Sequence, residues 1–380
     1  MPLIKYVTDI QIDFGASKLL ADSCAAARIA RPLVVSDKGV VAAGVAAQAL
    51  ASLDGKVPYA IFDDTPSNPT EAAVEAALEA YKAHGADGIV AVGGGSAIDL
   101  AKGLAILAAH PGPLSQYCTI DGGAAKITAA CAPLIAMPTT AGTGSEVARG
   151  AIVILKDGRK VGFHSWHLVP RTAILDPELT LSLPPGLTAA TGMDAMAHCI
   201  ETLLAPAFNP PAEGIALDGL ERAGKWLRRA VDNGQDREAR RQMMCASMQG
   251  AMAFQKGLGA VHSLSHALGS YREKSLHHGT LNAVLLPAIL RFNANAASVV
   301  ADDKYPRLRR ALHLAEAAAL DGAIASLNKD LGIPSGLGAM GVNKGFVDEA
   351  VDKAMKDHCH ATNPRIATPD EYRAILAESW

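Results

Sequence analysis

The sequence predicts an α/β N-terminal half followed by an all-α C-terminal half. Short apolar runs rich in β-branched residues alternate with alanine-rich helical stretches over the first half of the 380 residues. This alternation is typical of a doubly wound parallel sheet. After Leu183-Pro184-Pro185 such runs largely disappear, and residues with high helix propensity dominate. Because the chain exceeds the usual limit of ~250–300 residues for one core, we predict two domains, 1–183 and 184–380, that share a cleft.

Three buried parallel strands are predicted in the N-terminal half. A strand that is covered on both faces of a sheet shows an unbroken apolar run rather than alternation. Such runs occupy residues 32–35, 88–92 and 133–137. Helical composition over 40–53 and 70–84 predicts the helices between them, and Asn68-Pro69-Thr70 is a start signal for the second helix.

A glycine-rich turn follows the second predicted strand. Gly93-Gly94-Gly95-Ser96 comes directly after the run at 88–92, and residues 97–102 resemble the opening of a helix. Glycine lets backbone N–H groups approach a pyrophosphate, and a helix N-terminus adds about half a positive charge. The turn therefore indicates a nucleotide site. A tight turn without a ligand explains three glycines about equally well, since the G-x-G-x-x-G pattern is absent.

Polar groups also follow the other two predicted strands. The loop at 138–146 offers several hydroxyl groups and two glycines, and it would lie at the same carboxyl edge of the sheet. Asp37 follows the first strand, where its carboxylate can accept hydrogen bonds from an adenosine ribose and repel a 2′-phosphate, which favours NAD over NADP. An equally good interpretation makes Asp37 a helix N-cap ahead of Gly39.

The C-terminal half contains metal-ligand spacing. Asp194 and His198 are four residues apart, so on a helix they share one face, and His262 and His266 repeat that spacing. A single histidine among apolar residues is more often an ordinary core residue. An aspartate together with several histidines of this kind predicts a metal site.

The adjacent pair His277-His278 adds another imidazole before Gly279. Neutral imidazoles and one carboxylate suit Fe²⁺ or Zn²⁺ better than Mg²⁺ or Ca²⁺. Spacing does not choose between iron and zinc, between the two adjacent histidines, or between the two histidines of the preceding helix. We interpret a third cluster, His358-Cys359-His360, as a solvated segment because charged residues surround it.

Composition disfavours several kinds of partner. The chain is 49% hydrophobic and 19% charged with a net charge of -3, so it lacks the basic excess that nucleic acid and anionic membranes attract. Neither a signal-like segment nor an apolar run of ~18 residues is evident, and we expect a cytoplasmic protein. The six cysteines show no paired spacing, which indicates reduced thiols.

In combination, these motifs resemble the iron-containing (group III) alcohol dehydrogenase family over most of the chain. The segments that carry the resemblance are 93–102, 138–147, 192–201 and 261–287. The resemblance implies an N-terminal dinucleotide-binding domain, a helical C-terminal domain and a metal in the cleft between them. It places the metal on Asp194, His198, His262 and His278, and it leaves His266 beside the substrate as the catalytic proton-transfer group.

The same resemblance implies NAD and Fe²⁺ as cofactors, with NADP and Zn²⁺ as alternatives. The implied NAD(P) contacts fall at Asp37, Asn68, Gly94, Gly95, Ser96, Asp99, Thr139, Thr140, Thr143, Lys160 and Leu179. Gly150 stands where relatives often carry a bulky residue, which predicts a pocket that admits substrates larger than ethanol.

The expected reaction is hydride transfer between nicotinamide and a small primary alcohol, diol or hydroxy acid, with the metal stabilising the alcohol oxygen. Two alternatives remain: a dehydroquinate synthase-like lyase that uses NAD and a metal, and an oxidoreductase like maleylacetate reductase, which would not require the metal ligands. We expect a homodimer or higher homo-oligomer that acts on a small-molecule substrate.

Overall fold

A computed structural model describes residues 4, 6, 8–271 and 273–380. The chain divides into two compact units. The N-terminal unit contains the described residues of Lys5–Thr140 and Gly144–Ser182, and the C-terminal unit contains those of Met1–Ile4, Ala141–Thr143 and Leu183–Trp380.

The N-terminal unit is built on a parallel sheet, which confirms the predicted fold class together with the helical unit described below. The strands are β1 (Asp9–Ile12), β2 (Pro32–Val35), β3 (Ala60–Phe62), β4 (Gly88–Gly93), β5 (Leu134–Pro138), β6 (Gly150–Ile154), β7 (Lys160–His164) and β8 (Thr172–Leu175). Six of them pair in the order β1-β8-β5-β4-β2-β3, and every pairing is parallel. The other two, β6 and β7, form an antiparallel hairpin.

Helices cover both faces of this sheet. They are α1 (Leu20–Ala26), α2 (Lys38–Ala42), α3 (Val45–Leu50), α4 (Glu71–His84) and α5 (Gly95–Leu107). Alternate strand residues point to opposite layers: Leu33 and Ile89 pack with α4 and α5, whereas Val34 and Val90 pack with α1 and α3. The central strands are therefore apolar on both faces, as their unbroken hydrophobic runs predict.

Two predicted boundaries in the N-terminal unit were wrong. The predicted helix over 40–53 is divided into α2 and α3 by Gly44, whose φ of 76° lies in the left-handed region. The helix after the glycine turn begins at Gly95, two residues earlier than predicted, with Gly94 as its N-cap residue. Thr70 caps α4 by accepting a hydrogen bond from the Ala73 N–H, which agrees with the start signal in the sequence.

The C-terminal unit is helical, and no strand occurs among the described residues after Ser182. Its helices are α6 (Pro185–Leu204), α7 (Pro210–Asp232), α8 (Arg237–Ala253), α9 (Ala260–Leu268), α10 (His278–Asn293), α11 (Ala297–Ala301), α12 (Lys304–Ala311), α13 (Leu320–Asp330), α14 (Val347–Ala354) and α15 (Pro369–Glu378). A search of the described residues finds no helix with the length and apolarity needed to span a bilayer.

Helix α6 is the centre of this unit, and α7, α8 and α10 pack against it. Nearly all of its residues after the first turn are buried. Two buried ammonium groups bind the carbonyls at its C-terminal end: Lys256 donates to Ala205 O at 2.6 Å, and Lys304 donates to Leu204 O at 3.1 Å. Positive charge at the C-terminus of α6 complements the helix dipole. These hydrogen bonds therefore fix the end of the helix that lies after Asp194 and His198.

Candidate metal and nucleotide sites

The C-terminal unit brings one aspartate and three histidines together. Asp194 and His198 lie one turn apart on α6, and both side chains are buried. The Nε2 atom of His198 is 3.7 Å from Asp194 Oδ1. The Nε2 atoms of His262 and His278 are each 3.6 Å from the same oxygen. Asp194, His262 and His278 thus offer donor atoms that all lie within 4.8 Å of one another, and His198 lies beside the same carboxylate.

Glu201 explains how His262 is oriented. Its carboxylate accepts the Val261 N–H at 2.7 Å and so lies at the first turn of α9, where negative charge is favourable. The other carboxylate oxygen is 2.6 Å from His262 Nδ1. With Nδ1 donating to Glu201, the lone pair of Nε2 is left to face Asp194, as a metal-binding histidine requires.

A close contact between two helices brings His278 to the site. Gly279 lies so near to α6 that a Cβ on this residue would be only 2.2 Å from the carbonyl oxygen of Ala190. Glycine therefore allows α10 to approach, and His278 at its first turn joins the donor set. His277, which spacing left as an alternative ligand, is the N-cap residue of α10, and its Nδ1 is 3.5 Å from Thr280 Oγ1.

The donor set fits a divalent transition metal. Four donors placed tetrahedrally at ~2.1 Å from a cation are ~3.4 Å apart, and the three distances of 3.6–3.7 Å around Asp194 Oδ1 are close to that value. One carboxylate with three imidazoles suits Fe²⁺ or Zn²⁺.

The charges of these groups are strongly coupled. Burial opposes ionisation of Asp194, but the imidazoles around it, led by His198, hold its pKa well below the usual range. Burial lowers the pKa of His198 to about 4. Burial acts in the same direction on His262, yet its hydrogen bonds to Asp194 and Glu201 outweigh it and raise the pKa to about 9. A cation that binds Nε2 of His262 therefore competes with a proton for the lone pair of that nitrogen.

Asn282 completes the surroundings of Asp194. The amide is fully buried, and its Nδ2 donates to Asp194 Oδ1 at 2.7 Å. The same nitrogen is 3.2 Å from His262 Nε2 and 3.1 Å from His278 Nε2. Asn282 is thus in contact with three of the four donors and fixes the orientation of the carboxylate.

Sequence reasoning missed the roles of Glu201, Asn282 and Asp357. Two of them carry a signal, because Glu201 lies one turn after a ligand on α6 and Asn282 lies one turn after the ligand on α10. Asp357 has no local signal, since its imidazole partner is 91 positions away.

His266 lies beside the donor set and not within it. Its Nδ1 is 3.0 Å from Asp357 Oδ2, and its ring stacks on that of His278 with centroids 5.4 Å apart. The prediction that the segment around Cys359 is solvated was wrong: this thiol is 1% exposed, although the neighbouring His358 is largely exposed. The turn at Asp357 directs the thiol inward, because Asp357 Oδ1 accepts the Cys359 N–H.

In the N-terminal unit, Asp37 lies at the switch point of the sheet, where β2 and β4 are adjacent and connect in opposite directions. Its side chain caps α2 by accepting the Val40 N–H at 2.9 Å, which confirms the N-cap interpretation. The other carboxylate oxygen would be 3.6 Å from a Cβ on Gly93. Asp37 therefore lies next to the glycine turn, and its cap leaves one oxygen for another donor.

The glycine turn and the threonine loop are neighbours within this unit. Gly95 opens α5, whose first N–H groups have no acceptor within the helix. A Cβ on Gly94 would be 3.4 Å from Thr140 Oγ1, and Thr139 N–H donates to Gly93 O at 3.0 Å. Backbone donors at a helix N-terminus next to hydroxyl groups can bind a phosphate.

Other predicted contacts differ in their surroundings. Ser96 Oγ donates to Ser67 O at 2.6 Å, and Lys160 Nζ donates to Asn68 Oδ1 at 3.0 Å, which brings two predicted residues together. The carboxylate of Asp99 accepts Ser145 Oγ at 2.6 Å and a backbone N–H of β6 at 2.9 Å. Both of its oxygens therefore bind protein donors.

Two further predicted contacts lie in other surroundings. Leu179 is 1% exposed, and its side chain packs in the core with α1 and α3, so only its backbone could meet a cofactor. Thr143 belongs to the segment Ala141–Thr143, which groups with the C-terminal unit.

A neighbouring side chain lies close to Gly150, where the sequence predicts a roomy pocket. A Cβ on this residue would be 3.0 Å from the imidazole of His164 on β7, which fills the space that the glycine leaves. The neighbouring Arg149 lies over the Trp166 ring, 5.1 Å from its centre.

A parallel sheet with a glycine turn at its switch point, together with an Asp-His₃ donor set, is the combination that a nucleotide- and metal-dependent dehydrogenase needs. Comparison with known proteins makes the assignment specific. The chain belongs to the iron-containing alcohol dehydrogenase family: that family model matches residues 8–177, and the model for the C-terminal region of the family matches residues 188–380.

Individual relatives agree with this assignment. The chain is 62% identical to a 4-hydroxybutyrate dehydrogenase of Cupriavidus necator, with 100% of both chains covered. It is 34% identical to an NAD-dependent methanol dehydrogenase of Bacillus methanolicus, with 91% of each chain covered. The crystal structure of a 1,3-propanediol oxidoreductase superimposes with a TM-score of 0.92 at 32% identity over 100% of both chains.

These findings confirm the predicted class of reaction and the predicted cofactors. The protein is an iron-type, NAD-linked oxidoreductase that acts on CH–OH groups. A sulfoacetaldehyde reductase of Bifidobacterium kashiwanohense, whose structure contains NAD⁺, is similar at a TM-score of 0.89 and 27% identity over 100% of this chain and 98% of that one. The dehydrogenase prediction is thereby favoured over the lyase alternative.

Proposed function

We propose that this enzyme interconverts 4-hydroxybutyrate and 4-oxobutanoate, with NAD as the hydride carrier. The observation that supports this substrate is the 62% identity to a 4-hydroxybutyrate dehydrogenase along the whole of both chains. The substrate is a hydroxy acid, one of the classes that the sequence predicts. Oxidation takes a hydride from its terminal carbon and a proton from its hydroxyl group, and it leaves an aldehyde.

In this proposal Asp194, His198, His262 and His278 hold the divalent cation. When bound, the cation supplies Lewis-acid stabilisation of negative charge on the substrate oxygen. Glu201 and Asn282 keep two of the ligands in position. In support, each hydrogen bonds directly to a ligand side chain, at 2.6 Å for Glu201 and 2.7 Å for Asn282.

His266 is proposed to accept the hydroxyl proton and return it in the reverse direction. Its Nδ1 is bound to Asp357, which orients the ring and leaves Nε2 to exchange the proton. In the N-terminal unit, the backbone N–H groups at the start of α5 would bind the pyrophosphate, and Asp37 would accept from the ribose. The remaining predicted NAD(P) contacts are part of the same proposal.

The substrate is tested with the purified, metal-loaded enzyme. Initial rates of NADH oxidation are measured with 4-oxobutanoate and with butanal, which has the same chain length and lacks the carboxylate. We expect kcat/KM to be at least tenfold higher for the carboxylate, equivalent to ~1.4 kcal/mol of transition-state binding. Equal values for the two aldehydes would contradict a hydroxy acid as the substrate. No net NADH consumption with any aldehyde would contradict the dehydrogenase reaction itself.

We further propose that residues 1–183 act as the nucleotide-binding domain and 184–380 as the catalytic domain of a cytoplasmic homodimer. Six free cysteines, five of them buried, are consistent with a reducing compartment. Symmetric dimers are the commonest oligomers of enzymes. Light scattering coupled to gel filtration measures the assembly, and a monomeric mass at working concentration would contradict the dimer.

A further inference from the structure

A second cluster of metal-ligating side chains lies in the C-terminal unit, outside the donor set around Asp194. His266, Asp357 and Cys359 each offer one donor atom, and the three atoms all lie within 4.8 Å of one another. His266 Nδ1 is 3.0 Å from Asp357 Oδ2. His358 adds a further nitrogen, because its Nε2 is 3.4 Å from Cys359 Sγ.

The local fold explains this convergence. Asp357 and Cys359 follow the end of α14, and the hydrogen bond from the Cys359 N–H to Asp357 Oδ1, at 2.8 Å, closes a turn. The turn directs the carboxylate and the thiol toward His266 on α9. Cys359 is buried, Asp357 is largely buried, and the side chain of His358 is 56% exposed. An exposed imidazole beside a buried thiol gives a cation a route from solvent to the cluster.

The chemistry of the cluster differs from that of the first site. Sulfur together with imidazole and carboxylate prefers Zn²⁺ or Cd²⁺ to Fe²⁺ or Mg²⁺. Burial, assisted by the negative charge of Asp357, raises the pKa of the Cys359 thiol well above its ordinary value. The thiol therefore keeps its proton unless a strongly thiophilic cation displaces it. A strongly thiophilic cation therefore distinguishes this cluster from the donor set around Asp194, which contains no sulfur.

We propose that His266, Asp357 and Cys359, assisted by His358, form a second site for a thiophilic divalent cation, and that its occupation inhibits the enzyme. On binding, the Cys359 S–H bond is replaced by a sulfur–metal bond and the proton leaves to solvent, with no change of oxidation state. Inhibition follows because His266 becomes a ligand and can no longer exchange a proton with the substrate. The inhibitory part rests on the proposed function, whereas the binding part does not.

The test uses the holoenzyme carrying one equivalent of its catalytic metal. Cd²⁺ is added stepwise while bound Cd²⁺, retained catalytic metal, turnover and ultraviolet absorbance are measured. We expect one further equivalent to bind without release of the first metal. A sulfur-to-cadmium charge-transfer band should accompany it, and turnover should fall at least tenfold at saturation.

Two variants and one control locate the site. Cys359→Ser should abolish the charge-transfer band and raise the Cd²⁺ concentration for half-inhibition at least tenfold. The matched control is Cys245→Ser, since Cys245 is a partly exposed thiol on α8 outside the cluster, and it should leave both readings unchanged. His358→Ala alters an exposed side chain, so it tests the site even if the serine variant fails to fold, and it should weaken Cd²⁺ binding several-fold.

Four results would overturn all or part of the inference. Binding that stops at one equivalent of total metal would remove the second site, and so would a charge-transfer band that persists in Cys359→Ser. Inhibition that tracks the release of the catalytic metal would assign the effect to the first site. A second equivalent bound with full turnover would overturn the inhibitory part and contradict the proton role of His266, while the binding site would stand.

Discussion

The candidate sites of the two units are built from different parts of the chain. In the C-terminal unit, one carboxylate and three imidazoles lie close together, and Glu201 and Asn282 each hydrogen bond to one of these side chains. In the N-terminal unit, the glycine turn at the end of β4 presents backbone N–H groups, and Ser96 and Asp99 bind protein partners. The metal site therefore depends on side-chain identity, whereas the nucleotide site depends on backbone shape.

The chemistry of the two ligands explains this difference. A transition-metal cation needs lone pairs at fixed distances, which only particular side chains supply. A pyrophosphate is large, and the N–H groups at a helix N-terminus can satisfy it without a specific side chain. Single substitutions should consequently cost most in the C-terminal unit, and the predictions below test that difference.

The largest effect is expected for Asp194→Ala. Removing the one carboxylate of the donor set should leave the protein without bound metal and lower turnover on the order of 10³-fold or more, since Lewis-acid stabilisation is worth several kcal/mol. Metal content of the purified variant and its kcat with 4-oxobutanoate measure this. His266→Ala is the comparison: it should also slow turnover, by ~10²-fold or more, but retain the metal. Stoichiometric metal in Asp194→Ala would contradict the ligand assignment.

The next effect concerns a residue that touches the ligands. Asn282→Leu removes the donor to Asp194 Oδ1 at similar volume, and we expect the affinity for metal to fall ~10–100-fold, the range typical of groups that orient ligands. Competition with a chelator measures the dissociation constant. Asn328→Leu is the control, because Asn328 is another buried amide of this unit and donates to a backbone carbonyl of α10, Ala283 O, rather than to a side chain of the donor set. An equal loss in the two variants would show that only stability had changed.

Features that carry a local sequence pattern could be predicted, whereas contacts between distant residues could not. Three central strands and the helical pair Asp194 and His198 were predictable because they carry local patterns, namely unbroken apolar runs and i,i+4 spacing. The choice of His262 and His278 came from the family resemblance, and the ligand set stays a prediction. The contact of Glu201 with His262 spans 61 positions, and that of His266 with Asp357 spans 91. Local periodicity carries no information about such pairs, since they arise only when separate helices pack.

Conformation set by single residues was also hard to predict. Gly44 divides a stretch of uniformly helical composition by adopting a positive φ, which composition does not indicate. Strand β3 has only three residues, and the half-exposed hairpin β6–β7 alternates between buried and partly exposed residues, so neither resembles the buried runs. At Leu179, a contact position implied by the resemblance, the side chain lies in the core, which the sequence alone does not indicate.

A smaller effect is expected for Asp37, the one side chain whose charge we propose to act in cofactor selection. Asp37→Asn keeps a residue that caps a helix as well as aspartate does, and it removes the charge that would repel a 2′-phosphate. We expect the ratio of kcat/KM for NADH to that for NADPH to fall about tenfold, on the scale of one charge interaction near a protein surface. Asp64→Asn, which removes an exposed charge paired with Lys38, should leave the ratio unchanged. An unaltered ratio in Asp37→Asn would remove this residue from cofactor selection.

The smallest effect concerns stability and tests whether the buried charges of the N-terminal unit are structural. Glu146 is 2% exposed, and burial raises its pKa from 4.5 to about 7, so the folded protein holds it neutral where the unfolded chain ionises it. Stability is therefore lost as pH rises from about 4.5 to about 7 and stays low above that range.

Glu146→Gln cannot ionise and should raise Tm relative to the unsubstituted protein at pH ~8 by a few degrees more than at pH ~5. Scanning calorimetry at both values measures this, with Glu79→Gln on the exposed face of α4 as the control that should show no such difference. A Tm lowered equally at both values would mean that the ionised carboxylate is needed in the fold, and the N-terminal unit would then depend on a specific buried charge as the C-terminal unit does.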